Sequence, residues 1–387
     1  MNDQPKLAIY GFTTLFGPLD RGGVQGVDQE WLLKGHMVGP TADLSAGEMR
    51  LLTGCKLEQL THTFSGISDE TFTGLLQLVG AQDLSGGPGS WLTSYGSGDV
   101  VPASWWASWA RLTGYIDFSS RGDLMALING SFVAAARGLQ AVDKIRQVLL
   151  DAVSLLGVVA SPVGGSADAS PMREVFADRA HNLPLSSDFQ APPQLPVSMR
   201  DLTPLITTVE STWSGFVNSL DSRLSSPSGN PVFREGSNGI EPVSNASFLD
   251  YGLRESAVSM RALLLRVVDY LQRFLARVAD VATAELSGRS AVPYIQPAKV
   301  ARALVLSISA PLPALHVVES GGVEDMADGA LQACSALISD VNVAQQILEM
   351  TRTTVFSFLE ARGVVGAPEW VAETFEALDG ACLSETV

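Results

Sequence analysis

Apolar residues recur every three or four positions along residues 255–286, with arginines interspersed among the leucines and valines. This spacing predicts an amphipathic helix with one face in water and the other buried. At 1.5 Å per residue such a helix is roughly 50 Å long. Residues 131–159, 201–223 and 330–361 show the same periodicity. These segments are therefore predicted to be long helices, and residues 255–286 have the pattern of a bundle helix with one face in water.

Size and charge limit the classes of function. With 387 residues, of which 46% are hydrophobic, the chain can bury a large core as one large helical domain or as two ordinary ones. The formal charge of −16 argues against binding to nucleic acid, because phosphates are bound by clustered Lys and Arg. We therefore expect no nucleic-acid partner.

Three features predict a protein of the cytoplasm. Cys55, Cys334 and Cys382 are odd in number, far apart and without metal-ligand spacing, which favours a reducing compartment and indicates no metal site. Residues 1–5 lack the basic and then apolar build of a secretion signal. The most apolar run, 303–318, contains two prolines and a histidine and is shorter than the ~20 residues that cross a bilayer. We expect a soluble protein with neither a metal nor a membrane partner.

A candidate reactive loop lies at Gly96-Ser97-Gly98, a serine between two residues without a Cβ. Glycine adopts backbone conformations forbidden to other residues and allows neighbouring backbone atoms to approach closely. A tight loop can bring the Gly98 amide nitrogen against the Gly96 carbonyl carbon. Attack there, with loss of two waters, would give a five-membered imidazolone with Ser97 reduced to an exocyclic methylidene, an electrophile that no ordinary side chain supplies. On the tripeptide alone, a flexible surface loop is the alternative interpretation.

The residues around this tripeptide form a longer motif. Gly89-Ser90, a short spacer, Gly96-Ser97-Gly98-Asp99, two valines and Pro102 resemble the cofactor loop of the MIO family, which comprises histidine, phenylalanine and tyrosine ammonia-lyases and their aminomutase relatives. That family usually has alanine where this chain has Gly96, a difference of one methyl group outside the ring-closing atoms. The resemblance implies a 4-methylidene-imidazol-5-one (MIO) cofactor formed from Gly96, Ser97 and Gly98, with Asp99 supporting the cofactor region.

Two N-terminal motifs resemble the same family. Tyr10-Gly11-Phe12-Thr13-Thr14-Leu15-Phe16-Gly17 is similar to Tyr-Gly-x-x-Thr-Gly-Phe-Gly, with Leu15 in place of one glycine. This resemblance implies that Tyr10 is the catalytic base. Residues 31–39 resemble Leu-x-x-Ser-His-Ala-x-Gly of the histidine branch, which implies that His36 lines the active site. A loop-anchoring tyrosine and a satisfied core histidine are the structural alternatives.

Further similarities follow in the family's order along the chain. Asn129 lies in a segment similar to Leu-Leu-Asn-Gly-Thr, and residues 194–200 resemble Gln-Asp-Pro-Tyr-Ser-Leu-Arg, with Val197 in place of the tyrosine. A guanidinium fork suits a planar carboxylate, which makes Arg200 a chemically sensible clamp. The substrate-binding residues that the resemblance implies are His36, Asn129, Gln194, Arg200, Asn230 and Glu324. For Glu324 an ordinary acidic helix N-terminus is the alternative.

The resemblance also implies an organisation for the whole chain. It implies a mostly α protein whose long helices pack into a bundle of the histidine and phenylalanine ammonia-lyase type. It predicts one ammonia-lyase-like domain over residues 1–387, with the cofactor-loop region at about 1–130, a helical bundle at about 131–362 and a short tail. It implies a homotetramer whose active sites draw residues from several subunits. The large apolar face of residues 255–286 points the same way, because one chain of this size does not easily cover it.

The implied activity is elimination of ammonia from an aromatic or polar-ring α-amino acid. His36 and Glu324 favour a histidine-like substrate. A 2,3-aminomutase would use the same residues, and a repurposed or non-catalytic relative is a further alternative, favoured by Gly96 and Val197. A serine hydrolase built on Ser97 and His36 is disfavoured, because the sequence lacks a Gly-x-Ser-x-Gly nucleophile elbow.

Overall fold

The computed structural model describes residues 8–16, 19, 28–94, 98–118, 122–160, 197–199, 202–237, 239–286, 288–308 and 325–361. The helices up to residue 160 are α1 (Gln29–His36), α2 (Ala46–Thr61), α3 (Asp69–Gly80), α4 (Val100–Leu112), α5 (Asp123–Ile128) and α6 (Phe132–Ala160). Those that follow are α7 (Thr203–Leu224), α8 (Tyr251–Glu285), α9 (Val292–Ile308) and α10 (Ala330–Ala361). Two antiparallel pairs of strands complete these ranges: β1 (Ala42–Leu44) with β2 (Gly87–Gly89), and β3 (Val232–Gly236) with β4 (Gly239–Val243).

The prediction of a mostly α chain with long helices is confirmed. Helix α8 has 35 residues and α10 has 32. Along α8 the fully buried side chains recur every three or four positions, and they include Leu253, Ala257, Met260, Leu264, Val267, Leu271, Phe274, Val278 and Ala282. Among the described residues, none of the helices combines the length and the apolar character needed to cross a membrane.

Helix α8 begins four residues earlier than its periodicity predicts. Asp250 precedes it, and its Oδ1 accepts a hydrogen bond from the backbone N–H of Leu253 at 2.9 Å. An acceptor at this position satisfies one of the free N–H groups of a first helical turn. The cap therefore extends the helix ahead of its apolar stripe.

The chain divides into two compact units. The first comprises Met1–Gln140, Asn218–Ala257 and Leu312–Ser335, and the second comprises Ala141–Val217, Val258–Pro311 and Ala336–Val387. All the predicted site residues that the structure describes belong to the first unit: Tyr10, His36, Gly98, Asp99, Asn129 and Asn230.

The core of the first unit lies between α2, α4 and α6. The Trp106 ring of α4 meets the Phe132 ring of α6 edge to face, with the centroids 5.1 Å apart. Its indole N–H donates to Thr53 Oγ1 of α2 at 3.1 Å, so this buried tryptophan satisfies its polar atom. Helix α2 starts with a capping box, in which Ser45 and Glu48 accept each other's backbone N–H groups. These contacts fix α2 beside the start of α6.

The second unit consists of helical segments in its described residues. Arg261 of α8 pairs with Asp340 of α10, and both side chains are largely buried. The Tyr294 hydroxyl of α9 donates to the Ser357 carbonyl of α10 at 3.1 Å. These buried polar side chains of the unit are thus paired, as burial requires.

Candidate active site

One carboxylate ties together the two ends of the candidate loop. Asp99 Oδ1 accepts hydrogen bonds from Thr93 Oγ1 at 2.7 Å and from the Ser94 backbone N–H at 3.1 Å. Gly96 and Ser97 lie outside the described residues, but the segments on both sides of them are therefore held close to each other. Burial raises the pKa of Asp99 to about 6, and the Thr93 hydrogen bond opposes that rise.

Gly98 closes against the backbone of a second turn. Its φ of +81° is in the left-handed region that favours glycine. A Cβ added to Gly98 would lie 2.7 Å from the backbone N and C of Gly130, and closer still to the carbonyl oxygen. The reactive-loop motif and the Asn129-Gly130-Ser131 motif, 31 positions apart at Asn129 and Gly98, are thus packed backbone on backbone. Sequence alone indicates each motif but not this contact.

The Asn129–Ser131 turn is held from two sides. Lys56 Nζ of α2 donates to the Asn129 carbonyl oxygen at 2.7 Å. The Ser131 backbone N–H donates to Ser228 Oγ at 3.1 Å. Gln59 of α2 also reaches this turn, with its Nε2 at 3.4 Å from Ser131 Oγ. The turn therefore has fixed partners in the core rather than in solvent.

The Asn129 side chain is only 2% exposed. Its Nδ2 contacts the sulfur of Met125 at 3.8 Å, whereas its Oδ1 has no hydrogen-bond partner among the described residues. A buried acceptor without a partner costs free energy, and such groups in native proteins call for an explanation. The side chain opens onto a small cleft lined by Phe12, Ser65, Met125, Ala126, Ser228, Gly229, Asn230 and Pro231.

Asn230 enters this cleft from the other side. Its Oδ1 accepts the backbone N–H of Asn245 at 3.2 Å, which fixes the side chain. Arg223 holds the preceding residues, because its guanidinium donates to the carbonyls of Ser226, Pro227 and Ser247 at 2.9–3.2 Å. The structure thus brings Asn129 and Asn230, two predicted site residues that are remote in sequence, to one cleft.

The segment that carries Tyr10 is anchored to the same cleft. A Cβ on Gly11, whose φ is +69°, would meet Met125 Cε at 2.5 Å, so this glycine allows a close approach. Phe12 lines the cleft and packs on the Phe233 ring, with the centroids 5.3 Å apart. Tyr10 itself is half-buried beside these two residues. Its role as the catalytic base stays a prediction.

His36 is the last residue of α1. Its Nδ1 donates to the Leu32 carbonyl at 2.8 Å, and its ring lies 4.4 Å from the Phe16 ring. The end of α1 is tied to α4, because Trp105 Nε1 donates to the Val38 carbonyl at 3.2 Å. Helix α4 begins directly after Asp99, so α1 is held to the helix that follows the loop.

Five other predicted site residues lie outside the described residues: Gly96, Ser97, Gln194, Arg200 and Glu324. Their roles stay predictions. Val197, which replaces the tyrosine of the family motif, is described and is 74% exposed.

Lys56 is a residue of the site that the motifs did not indicate. It is 1% exposed, and its ammonium lies 4.9 Å from the centre of the Phe132 ring. The sequence carried one signal: position 56 shares the buried face of α2 with Met49, Thr53 and Leu60. A lysine on an apolar face marks a buried cation, but periodicity does not identify its partner.

Lys56 is expected to make the stability of the protein depend on pH. Burial lowers the pKa of Lys56 from 10.5 to about 7, so between these values the unfolded chain holds a proton that the folded chain has lost. The free energy of unfolding therefore rises with pH in this window and gains nothing from Lys56 below it, where both states are protonated. Relative to Lys56→Met, the gain from pH 7 to pH 8 is about 1 kcal/mol.

Urea unfolding of the wild type and of Lys56→Met at both pH values measures this gain. Groups that titrate in both proteins cancel in the difference, including the buried thiols. An equal pH dependence of the two proteins would show that Lys56 keeps its ordinary pKa.

Solved structures share this architecture over most of the chain. Tyrosine aminomutase from Streptomyces globisporus has a TM-score of 0.76 at 19% identity, over 96% of this chain and 82% of that one. Phenylalanine aminomutase from Pantoea agglomerans has a TM-score of 0.74 at 14% identity, over 96% and 84%. Histidine ammonia-lyase from Trypanosoma cruzi has a TM-score of 0.68 at 16% identity, over 91% and 79%. The chain has the ammonia-lyase and aminomutase fold.

This result confirms the fold class that the sequence motifs predicted. No protein-family model matches the sequence, and no curated protein matches it. The similarity to ammonia-lyases and aminomutases at 14–19% identity establishes the shared fold.

Proposed function

We propose that the protein is an ammonia-lyase that acts on an aromatic or polar-ring α-amino acid, with a histidine-like substrate favoured. Its electrophile is MIO formed from Gly96, Ser97 and Gly98. The observation that carries this proposal is the close packing of Gly98 on Gly130, next to the unpartnered Oδ1 of Asn129, in a chain with this fold.

The described residues fit a ring formed from the loop. Ring closure needs a backbone that turns tightly, and Gly98 has the left-handed φ and the close contact that only glycine tolerates. Asp99 holds the two ends of the loop together through Thr93 and Ser94. The buried Asn129 Oδ1 is a hydrogen-bond acceptor that has no donor among the described residues. Each of these features suits a polar group built at residues 96–98.

Several residues share the steps of the proposed elimination. The β-hydrogen of an amino acid is barely acidic. MIO, when formed, would supply an electrophile for the substrate and so make removal of the β-hydrogen feasible. Tyr10, on the segment anchored at the cleft, takes that proton as general base. Arg200 pairs with the substrate carboxylate and orients the β-hydrogen towards the base.

The remaining predicted residues contact the substrate. Asn129 and Asn230 provide amides at the cleft, and Gln194 adds a third. His36 and Glu324 face the substrate ring, which is why a polar ring such as imidazole is favoured over a phenyl ring. Val197 has no hydroxyl, so proton transfer falls to Tyr10 alone.

We include the assembly in the proposal. The site is completed by neighbouring subunits in a homotetramer, as the family resemblance implies; the apolar face of α8 does not bear on this, because it is already buried within one chain. The protein works in the cytoplasm, in keeping with its unpaired cysteines.

A 2,3-aminomutase is the second candidate, because two of the structures described above are aminomutases. The two reactions share the elimination step. They differ in whether ammonia leaves the enzyme or returns to the β-carbon, so their products distinguish them.

The purified protein is expected to be lighter than the translated chain by two waters, about 36 Da. Intact mass spectrometry measures this directly. Histidine, tyrosine and phenylalanine are then supplied separately, and enoate absorbance and free ammonium are followed. Histidine is expected to give both signals. A β-amino acid without ammonium would identify an aminomutase, and an unmodified mass would exclude both enzymes.

A further inference from the structure

Burying the Lys56 side chain costs free energy, because its amine is removed from water. It is fully buried in α2, its ammonium contacts the Phe132 ring, and burial lowers its pKa to about 7. An apolar side chain of similar length would fill the same volume without removing a charge from water. The contact that distinguishes lysine from such a side chain is its hydrogen bond to the Asn129 carbonyl at 2.7 Å.

That hydrogen bond acts on the surface against which Gly98 closes. The Asn129 carbonyl and the Gly130 N–H belong to one planar peptide unit, so fixing the oxygen fixes the nitrogen. The same Gly130 nitrogen is one of the atoms that a Cβ on Gly98 would meet at 2.7 Å. Lys56 is thus one peptide unit away from the packing of the reactive loop.

The residue that accepts the Lys56 hydrogen bond also carries a buried side-chain amide. The Asn129 Oδ1 has no partner among the described residues, and its Nδ2 contacts Met125. A displacement of the Asn129 backbone would therefore also displace a residue that lines the cleft.

We propose that Lys56 is a positioning residue, which holds the Asn129–Gly130 peptide against Gly98 so that the 96–98 segment can close its ring and Asn129 keeps its place at the cleft. The ring-closure part rests on the proposed function. The part about the peptide stands on the contacts alone.

The test compares Lys56→Met with a matched control. Methionine keeps the length of the side chain and removes its donor. Thr53→Val is the control: it lies one turn earlier on the same buried face and also removes buried hydrogen bonds, the one from Trp106 and the one to the Met49 carbonyl. Lys56→Arg, which keeps a cationic donor, tests for rescue. If the methionine variant does not fold, Lys56→Gln replaces it, because its shorter side chain fails to reach the carbonyl.

Hydrogen exchange and intact mass are measured on all variants. In Lys56→Met the amides of residues 98–99 and 130–131 are expected to exchange about tenfold faster or more, as loss of a buried hydrogen bond that leaves its acceptor without a partner implies. The fraction of chains lighter by two waters should fall severalfold. In Lys56→Arg the exchange rates and the fraction of lighter chains should both return part of the way to their wild-type values. Thr53→Val should lower the melting temperature but change neither the exchange rates of these amides nor the fraction of lighter chains.

The two proposals fail in different ways. Exchange at residues 98–99 and 130–131 that is the same in Lys56→Met and Thr53→Val would overturn the role of Lys56, whatever the mass. A full mass deficit in Lys56→Met would overturn its role in ring closure. An unmodified wild type whose exchange still depends on Lys56 would overturn the proposed function and support the positioning of the peptide.

Discussion

Replacing Gly98 by alanine is expected to destabilise the protein and to abolish its activity. Two costs add. The φ of +81° places an alanine in the left-handed region, which costs about 1–2 kcal/mol. The new Cβ would also overlap the backbone of Gly130, and main-chain atoms held by Lys56 and Ser228 do not move aside easily. Such overpacking costs about 1–3 kcal/mol more.

Gly114→Ala is the matched control for this substitution. Gly114 has nearly the same φ, +80°, but a Cβ there would meet no atom within 4 Å. It therefore carries the backbone cost without the overlap. Urea unfolding should show a larger loss of stability in Gly98→Ala than in Gly114→Ala, and intact mass should show the deficit of two waters only in the control. Equal stability and equal mass in the two variants would contradict the packing of Gly98 on Gly130.

Ser97→Ala is expected to abolish turnover and to restore the full translated mass. Alanine has no hydroxyl to lose as water, so the exocyclic methylidene does not form. Because the substitution removes the electrophile itself, the rate should fall by more than about a thousandfold, as for the loss of a central catalytic group. Folding should survive, since the contacts of Asp99 with Thr93 and Ser94 do not involve this side chain.

Ser94→Ala serves as the control for the loop. Ser94 donates its backbone N–H to Asp99, and that N–H survives the substitution. The variant should still show the mass deficit of two waters. Melting curves, intact mass and the enoate assay are compared for the two alanine variants. If Ser97→Ala kept wild-type turnover, the electrophile would have to come from elsewhere.

Much of the helical architecture could be predicted from the sequence. The burial of a helix face follows a period of 3.6 residues, and this period is visible in α8 and α10 without knowledge of their neighbours. The predicted range 330–361 agrees with α10. The start of α8 was missed, because the cap at Asp250 precedes the apolar stripe.

The sequence also indicated which segments form the site, through motifs that are local. Tyr10, Gly98, Asp99, Asn129 and Asn230 each lie in a short motif that resembles the MIO family. The structure adds the contacts between these motifs. Gly98 packs on Gly130, and Asn129 shares a cleft with Asn230 and Phe12.

What the sequence by itself determined was the helical periodicity, the acidic charge and the presence of a serine between two glycines at residues 96–98, because each of these depends on neighbours along the chain. Only the tertiary structure decided the partner of Lys56, 73 positions away at Asn129, and the close approach of Gly98 to Gly130. Such contacts depend on how α2 packs beside the start of α6, and a buried lysine or a tight glycine turn can have many partners until that packing is formed.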